Sequence, residues 1–276
     1  MDEFADEYFS KITKIATDFT TRRRELAKSR IKMFVAALRR QLIDFKESYD
    51  LLLGSGNSGL FMTKIAKMTY DALNITAPSV LNLPIYRFKE DGETLHDNSF
   101  LVTYVKEELK GLQPISNILF VDDEIMRGLT AKECFNLILK AYPNINHISA
   151  TIIAENHFFE WHYKMPKVLM SFFAYSPLIQ GLNGNIGYFI PQKLFDNIQQ
   201  NVPEVRSYNH AMAIVIGGGI KKTENNKQHF DFDIELALKN SLPNYEKEKN
   251  ALAEELQVLV KEGVKEFEEG KIKFRF

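Results

Sequence analysis

Cysteine is nearly missing from this chain of 276 residues, with Cys134 the single one. No intrachain disulfide and no cysteine-based zinc cluster can be built from it. An excess of charge is missing too, since 35 basic residues stand against 36 acidic ones. A whole-protein attraction to nucleic acid or anionic lipid therefore has no support. No apolar run approaches the length that crosses a bilayer. Met1 to Phe9 open on acids and lack the basic start and apolar stretch of a secretory signal. A cytoplasmic protein is the expectation. What is present is a 45% hydrophobic share, enough for a globular core and too much for a disordered chain.

The apolar pattern along the chain separates three regions. Residues 1–48 read as a helical extension, with Ile31, Phe34, Leu38, Leu42 and Phe45 at helical spacing. Thr17 to Thr21 is a poor helix interior and predicts a break. From Tyr49 the pattern alternates between short apolar runs and helical stretches. Strands are expected at Tyr49–Leu53, Val80–Phe88, Phe100–Val105, Ile118–Val121, His147–Ala154 and Val168–Ala174. Helices are expected at Leu60–Leu73 and Thr130–Ala141. Such alternation implies an α/β core with a mainly parallel sheet flanked by helices, over residues 49–191. Residues 192–276 read as an α-rich addition, with a short helix at Gln192–Gln200, a further strand at Ala211–Ile216 and an amphipathic helix over 244–268.

The most informative segment is Asn117-Ile-Leu-Phe-Val-Asp-Asp-Glu-Ile-Met-Arg-Gly-Leu-Thr130. A buried strand delivers Asp122 and Asp123 at its carboxyl end, where open α/β sheets bind ligands. Gly128, Leu129 and Thr130 follow where a helix begins, and free N–H groups at a helix start favour phosphate. Carboxylates for hydroxyls or Mg²⁺ beside a phosphate cradle suit a sugar phosphate. The alternative is a solvated strand end before a helix start, where acids are favoured anyway. A response-regulator receiver also has a strand ending in acids, but it needs an Asp at a later strand end, and Met165 to Phe173 contains none.

Upstream, Leu51-Leu-Leu-Gly-Ser-Gly-Asn-Ser-Gly59 places a glycine loop between a strand and a helix. It matches the dinucleotide fingerprint literally, yet a Rossmann unit wants a carboxylate ending the second strand, about 20 residues on. That strand here runs into Arg87 and Phe88. A tight turn without a ligand is the other reading.

Together, the two loops resemble the type I phosphoribosyltransferases in order and placement. The resemblance implies that Asp122 and Asp123 hold the ribose hydroxyls and serve catalysis. Arg127, Gly128, Leu129 and Thr130 would wrap the 5′-phosphate of phosphoribosyl pyrophosphate. Ser55, Gly56, Asn57, Ser58 and Gly59 would bind the pyrophosphate together with Mg²⁺, which reaches the site through the ligand. Arg87 and Lys89 would belong to a lid, and Tyr188 or Phe189 to a hood over the acceptor base. The implied partners are phosphoribosyl pyrophosphate and a small nitrogenous acceptor, with no nucleic acid and no membrane, and a homodimer is compatible with it.

Three positions depart from the family pattern. Arg127 stands before the glycine, where Thr, Ser or Ala is usual, and as a charged donor it could still grip a phosphate. Ser58 stands where Arg or Lys is frequent. Met126 stands where relatives that use 6-oxopurines carry an Asp. These departures, with the helical additions, keep a second function open: a non-catalytic module sensing a nucleotide or phosphoribosyl pyrophosphate.

Overall fold

The computed structural model describes residues 2–85, 97–112, 114–125, 128–155, 167–173, 186–218 and 232–273. Five strands form one sheet: β1 (Leu51–Ser55), β2 (Ser79–Leu83), β3 (Asn117–Ile125), β4 (His147–Glu155) and β5 (Val168–Phe173). Their order is β2-β1-β3-β4-β5, and every neighbouring pair is parallel. This is the α/β class expected from the alternation. The register sets Leu53 beside Phe120 and Asp122 beside Ile152.

Helices cover both faces, because period-two alternation gives each central strand two apolar sides. On one face, α3 (Leu101–Glu108) and α4 (Leu129–Ala141) pack on Leu51, Leu53, Phe120 and Ile148. The rings of Phe120 and Phe135 meet edge to face at 4.9 Å and 86°, which pins α4 to the strand that carries the acids. On the other face lie α1 (Asp2–Arg39) and α2 (Gly56–Ala72). Beside them are α5 (Gln192–Asn201), α6 (Tyr208–Val215), α7 (Phe232–Ser241) and α8 (Tyr245–Glu268). Phe34, Ile65, Met212 and Leu256 from four of these helices share one apolar cluster with Leu52, Leu119 and Val121 of the sheet.

Three expectations are corrected. Phe100–Val105 is not a strand: α3 takes its place, burying Leu101, Val105 and Leu109 at four-residue spacing. Ala211–Ile216 is not a strand either. The Ser207 hydroxyl accepts from the His210 N–H at 3.1 Å and caps α6, whose residues Ala211 to Val215 are all buried. A short helix enclosed by neighbours is apolar all round and leaves no period to read. The break at Thr17–Thr21 is absent as well, since α1 runs through it without interruption.

After Arg39 the helix continues as a π-helical segment, Arg40–Asp44. This turn places Gln41 in the interior, where its side-chain oxygen accepts from the Thr151 hydroxyl at 2.7 Å. Along α1, Lys32 pairs with Glu262 at 2.8 Å and Glu266 at 2.7 Å of α8. The two helices approach closely at Gly263, where an added Cβ would lie 3.0 Å from the Lys32 carbonyl oxygen. Packing of this kind holds α1 rigidly over the sheet and lets it carry a charge into the interior.

Candidate ligand site at the β1 and β3 strand ends

Strand order reverses between β1 and β3, because α2 leads from β1 outward to β2 and α3 returns past β1 to β3. Two loops diverge there to opposite faces, which opens a crevice at the carboxyl ends of the strands. Both loops singled out in the sequence lie at this point.

The glycine loop is shaped by contact. A Cβ on Gly54 would sit 2.5 Å from the Gly59 carbonyl oxygen, and one on Gly59 would sit 2.6 Å from the Gly54 carbonyl carbon. The pair lets the start of α2 lie directly against the end of β1. Gly56 has φ +59, the left-handed turn that opens the helix. Ser55 is buried, and its hydroxyl has no hydrogen-bond partner among the described residues. Asn57 and Ser58 are half-buried in the first turn of α2. Asn82 of β2 reaches the same loop, where the Thr63 hydroxyl is 3.1 Å from its side-chain oxygen.

The acid pair ends β3. Asp122 and Asp123 are only 5% and 3% exposed. The Ser58 hydroxyl donates to Asp122 Oδ1 at 2.6 Å, and the Asp123 N–H donates to the same oxygen at 2.9 Å. Asn209 Nδ2 of α6 donates to Asp123 Oδ2 at 3.2 Å. The two carboxyls are neighbours, and each bears on the ionisation of the other. Burial, followed by the neighbouring charge of Asp123, pushes the Asp122 pKa well above the usual carboxylate value. Burial raises that of Asp123 as well, against the pull of its hydrogen bonds to Asp122 and Asn209. Hydroxyl donors or a cation brought to this pair would favour its ionised form.

Beneath the pair, Arg30 of α1 is among the largest fully buried side chains. Burial lowers the pKa of its guanidinium, and the charges of Glu124 and Asp123 oppose that effect. Gly128 has φ +68 and sits at the start of α4, with Leu129 and Thr130 half-buried in the first turn. Ser58, Asp122, Asp123 and the start of α4 thus come from the two neighbouring strand ends.

The other expected residues stand differently. Met126, Arg127, Arg87 and Lys89 lie outside the described residues. Tyr188 is half-buried, 4.8 Å from the Tyr208 ring and with the Arg23 guanidinium 4.9 Å above its own. Phe189 belongs to the apolar core, and Arg24 lies over its ring at 5.3 Å. Asn209 and Arg30 were not singled out in the sequence. The Ser207 cap is the one signal that announces α6, and a lone arginine in a charged helix gives none.

Among the described residues, no group of three or more His, Cys, Asp or Glu side chains is arranged to hold a metal ion. No described helix is long and apolar enough to cross a membrane.

Phosphoribosyltransferase structures are among the solved structures this chain resembles. One is an adenine phosphoribosyltransferase, with 18% identity and a TM-score of 0.31 over 51% of this chain and 77% of the other. Another is a xanthine-guanine-hypoxanthine phosphoribosyltransferase from Helicobacter pylori, with 13% identity and a TM-score of 0.30 over 51% and 82%. A third is a hypothetical protein from Neisseria gonorrhoeae with bound ppGpp, with 19% identity and a TM-score of 0.36 over 52% and 77%. No family profile and no curated protein matches the sequence.

Proposed function

We propose that the chain binds phosphoribosyl pyrophosphate with Mg²⁺ at the crevice between β1 and β3. There it transfers the ribose 5-phosphate group to a small nitrogenous acceptor. The observation that carries this reading is the Ser58–Asp122 hydrogen bond, which joins the glycine loop to the acid pair at the switch point of the sheet. A ligand with phosphates at both ends and a diol between them matches three adjacent features: the loop, the carboxyl pair and the start of α4.

In the reaction, the bond from ribose C1 to pyrophosphate oxygen breaks and a bond from C1 to the acceptor nitrogen forms. The acceptor proton leaves to solvent or base. Asp122 and Asp123 orient the ribose hydroxyls and stabilise positive charge developing on the sugar. Backbone N–H groups of the glycine loop take pyrophosphate oxygens, and those at the start of α4 take the 5′-phosphate. The donors at hand are carboxylate and hydroxyl oxygens, the type Mg²⁺ prefers, and an ion carried on the ligand's phosphates fits them. When bound, Mg²⁺ neutralises the charge of the leaving pyrophosphate.

A second reading, a binding module without transfer activity, is favoured by one feature. Ser58 and Asn209 already occupy acid-pair oxygens that ribose hydroxyls would use. A pyrophosphate-release assay across a panel of bases, run beside equilibrium binding of the same ligands, separates the two. Release with at least one base supports transfer. Binding without release from any base supports the module.

A further inference from the structure

The Asn209 side chain makes one bond and leaves one open. Its nitrogen donates to Asp123 Oδ2, whereas its oxygen is buried and has no partner among the described residues. The two atoms share one carbon, so the open acceptor lies beside the acid pair. A buried carbonyl oxygen without a donor costs free energy, and a ligand that supplies a donor recovers it. No Asp123 oxygen lies within hydrogen-bond reach of that open oxygen. Ser55, at the end of β1, holds a second buried oxygen without a partner on the other side of the crevice.

The position of Asn209 is fixed by more than this bond. The residue sits in the first turn of α6, after the Ser207 cap and next to Tyr208. The Tyr208 ring stacks on Phe195 of α5 at 3.9 Å and 16°. At its far end, α6 lies against α2, where an added Cβ on Gly217 would meet Leu60 at 2.6 Å. The amide is therefore presented by a helix anchored at both ends, and a ligand hydroxyl meets a preorganised acceptor.

We infer that Asn209 is a specificity-determining residue of this site, whose side-chain oxygen accepts a hydrogen bond from one sugar hydroxyl of a ligand held by Asp122 and Asp123. This rests on the phosphoribosyl reading above and adds a third polar contact, delivered from the C-terminal region. It predicts discrimination between a ribose phosphate and the analogue lacking that hydroxyl, because the deoxy ligand leaves the buried oxygen unsatisfied.

The test is a ligand cycle by calorimetry on the full chain, with Mg²⁺. Ribose 5-phosphate, its 2-deoxy and 3-deoxy analogues and inorganic pyrophosphate are titrated into the parent, Asn209→Ala and Asn209→Ser. Thermal melts confirm that each variant is folded. Asn209→Ala should bind ribose 5-phosphate roughly tenfold more weakly, the scale of one buried hydrogen bond. That loss should vanish for one deoxy analogue, and pyrophosphate should bind as in the parent. Asn209→Ser, which keeps a short acceptor, should recover part of the loss.

An unchanged affinity for ribose 5-phosphate in folded Asn209→Ala overturns the inference. So does a loss of equal size for the ribose and for both deoxy analogues. If the parent itself binds neither ribose 5-phosphate nor pyrophosphate, the phosphoribosyl reading fails and takes this inference with it. Binding by the parent together with no effect of Asn209→Ala removes the inference alone.

Discussion

The Ser58 hydroxyl reaches across 64 positions of sequence to donate a 2.6 Å hydrogen bond to Asp122 Oδ1. It connects the helix that follows β1 with the end of β3, so neither loop can move far without the other. The consequences can be measured at the acids, at the glycines beneath the serine and at the acceptor.

Asp122 costs stability in the ligand-free protein. Its pKa lies well above the usual 3.8, so the folded chain holds this proton more tightly than the unfolded chain does. Between those two values stability falls as pH rises, because the native state binds more protons there. Asp122→Asn mimics the protonated form and keeps an oxygen for Ser58. It should melt higher than the parent at mildly alkaline pH, because it has no buried proton to lose as pH rises. The gap should close as pH falls to the unfolded value. Melting curves from acid to mild alkali check this, and a variant that melts lower at every pH contradicts it.

The two ends of the glycine loop should respond differently from its middle. Gly59→Ala forces a Cβ to within 2.6 Å of the Gly54 backbone, so β1 and α2 must separate. A cost of about 3 kcal/mol is expected, at the upper end of ordinary overpacking. Gly56→Ala meets open space and bears only the left-handed conformation, about 1–2 kcal/mol. Urea unfolding of both variants checks the order. A larger loss at Gly56 would mean that the loop is shaped by its turn and not by the close approach.

Much of the architecture is legible in the sequence because its signals are local. An unbroken apolar run, Ile118 to Val121, leading into Asp122-Asp123 and then glycine needs no distant partner to be read. Phe100 to Val105 misleads because aromatic and β-branched residues favour strands, whereas the buried spacing of Leu101, Val105 and Leu109 is that of a helix. Ala211 to Ile216 misleads for the opposite reason: it is buried on every side, and no polar face marks a helix. Arg30 and Asn209 meet the acids only through tertiary packing, 93 and 86 residues from Asp123. No spacing rule reaches that far.

Guanine and hypoxanthine should be poor acceptors. The thioether of Met126 has no titratable proton and cannot exchange one with a purine ring at any pH, and proton transfer requires a base within hydrogen-bond reach. Steady-state assays with both bases decide it. Turnover near roughly 10 s⁻¹, typical of enzymes, would show that another residue supplies the proton chemistry.

The central claim is that the buried acid pair holds the ribose of a phosphoribosyl ligand. The most direct measurement is calorimetric titration of phosphoribosyl pyrophosphate with Mg²⁺ into the parent and into Asp122→Asn/Asp123→Asn, with circular dichroism to show that both are folded. The parent should bind in the micromolar to millimolar range, about −8 to −4 kcal/mol. The double variant should bind at least roughly tenfold more weakly, a loss of about 1.4 kcal/mol or more. Equal affinity in a folded double variant would contradict the account.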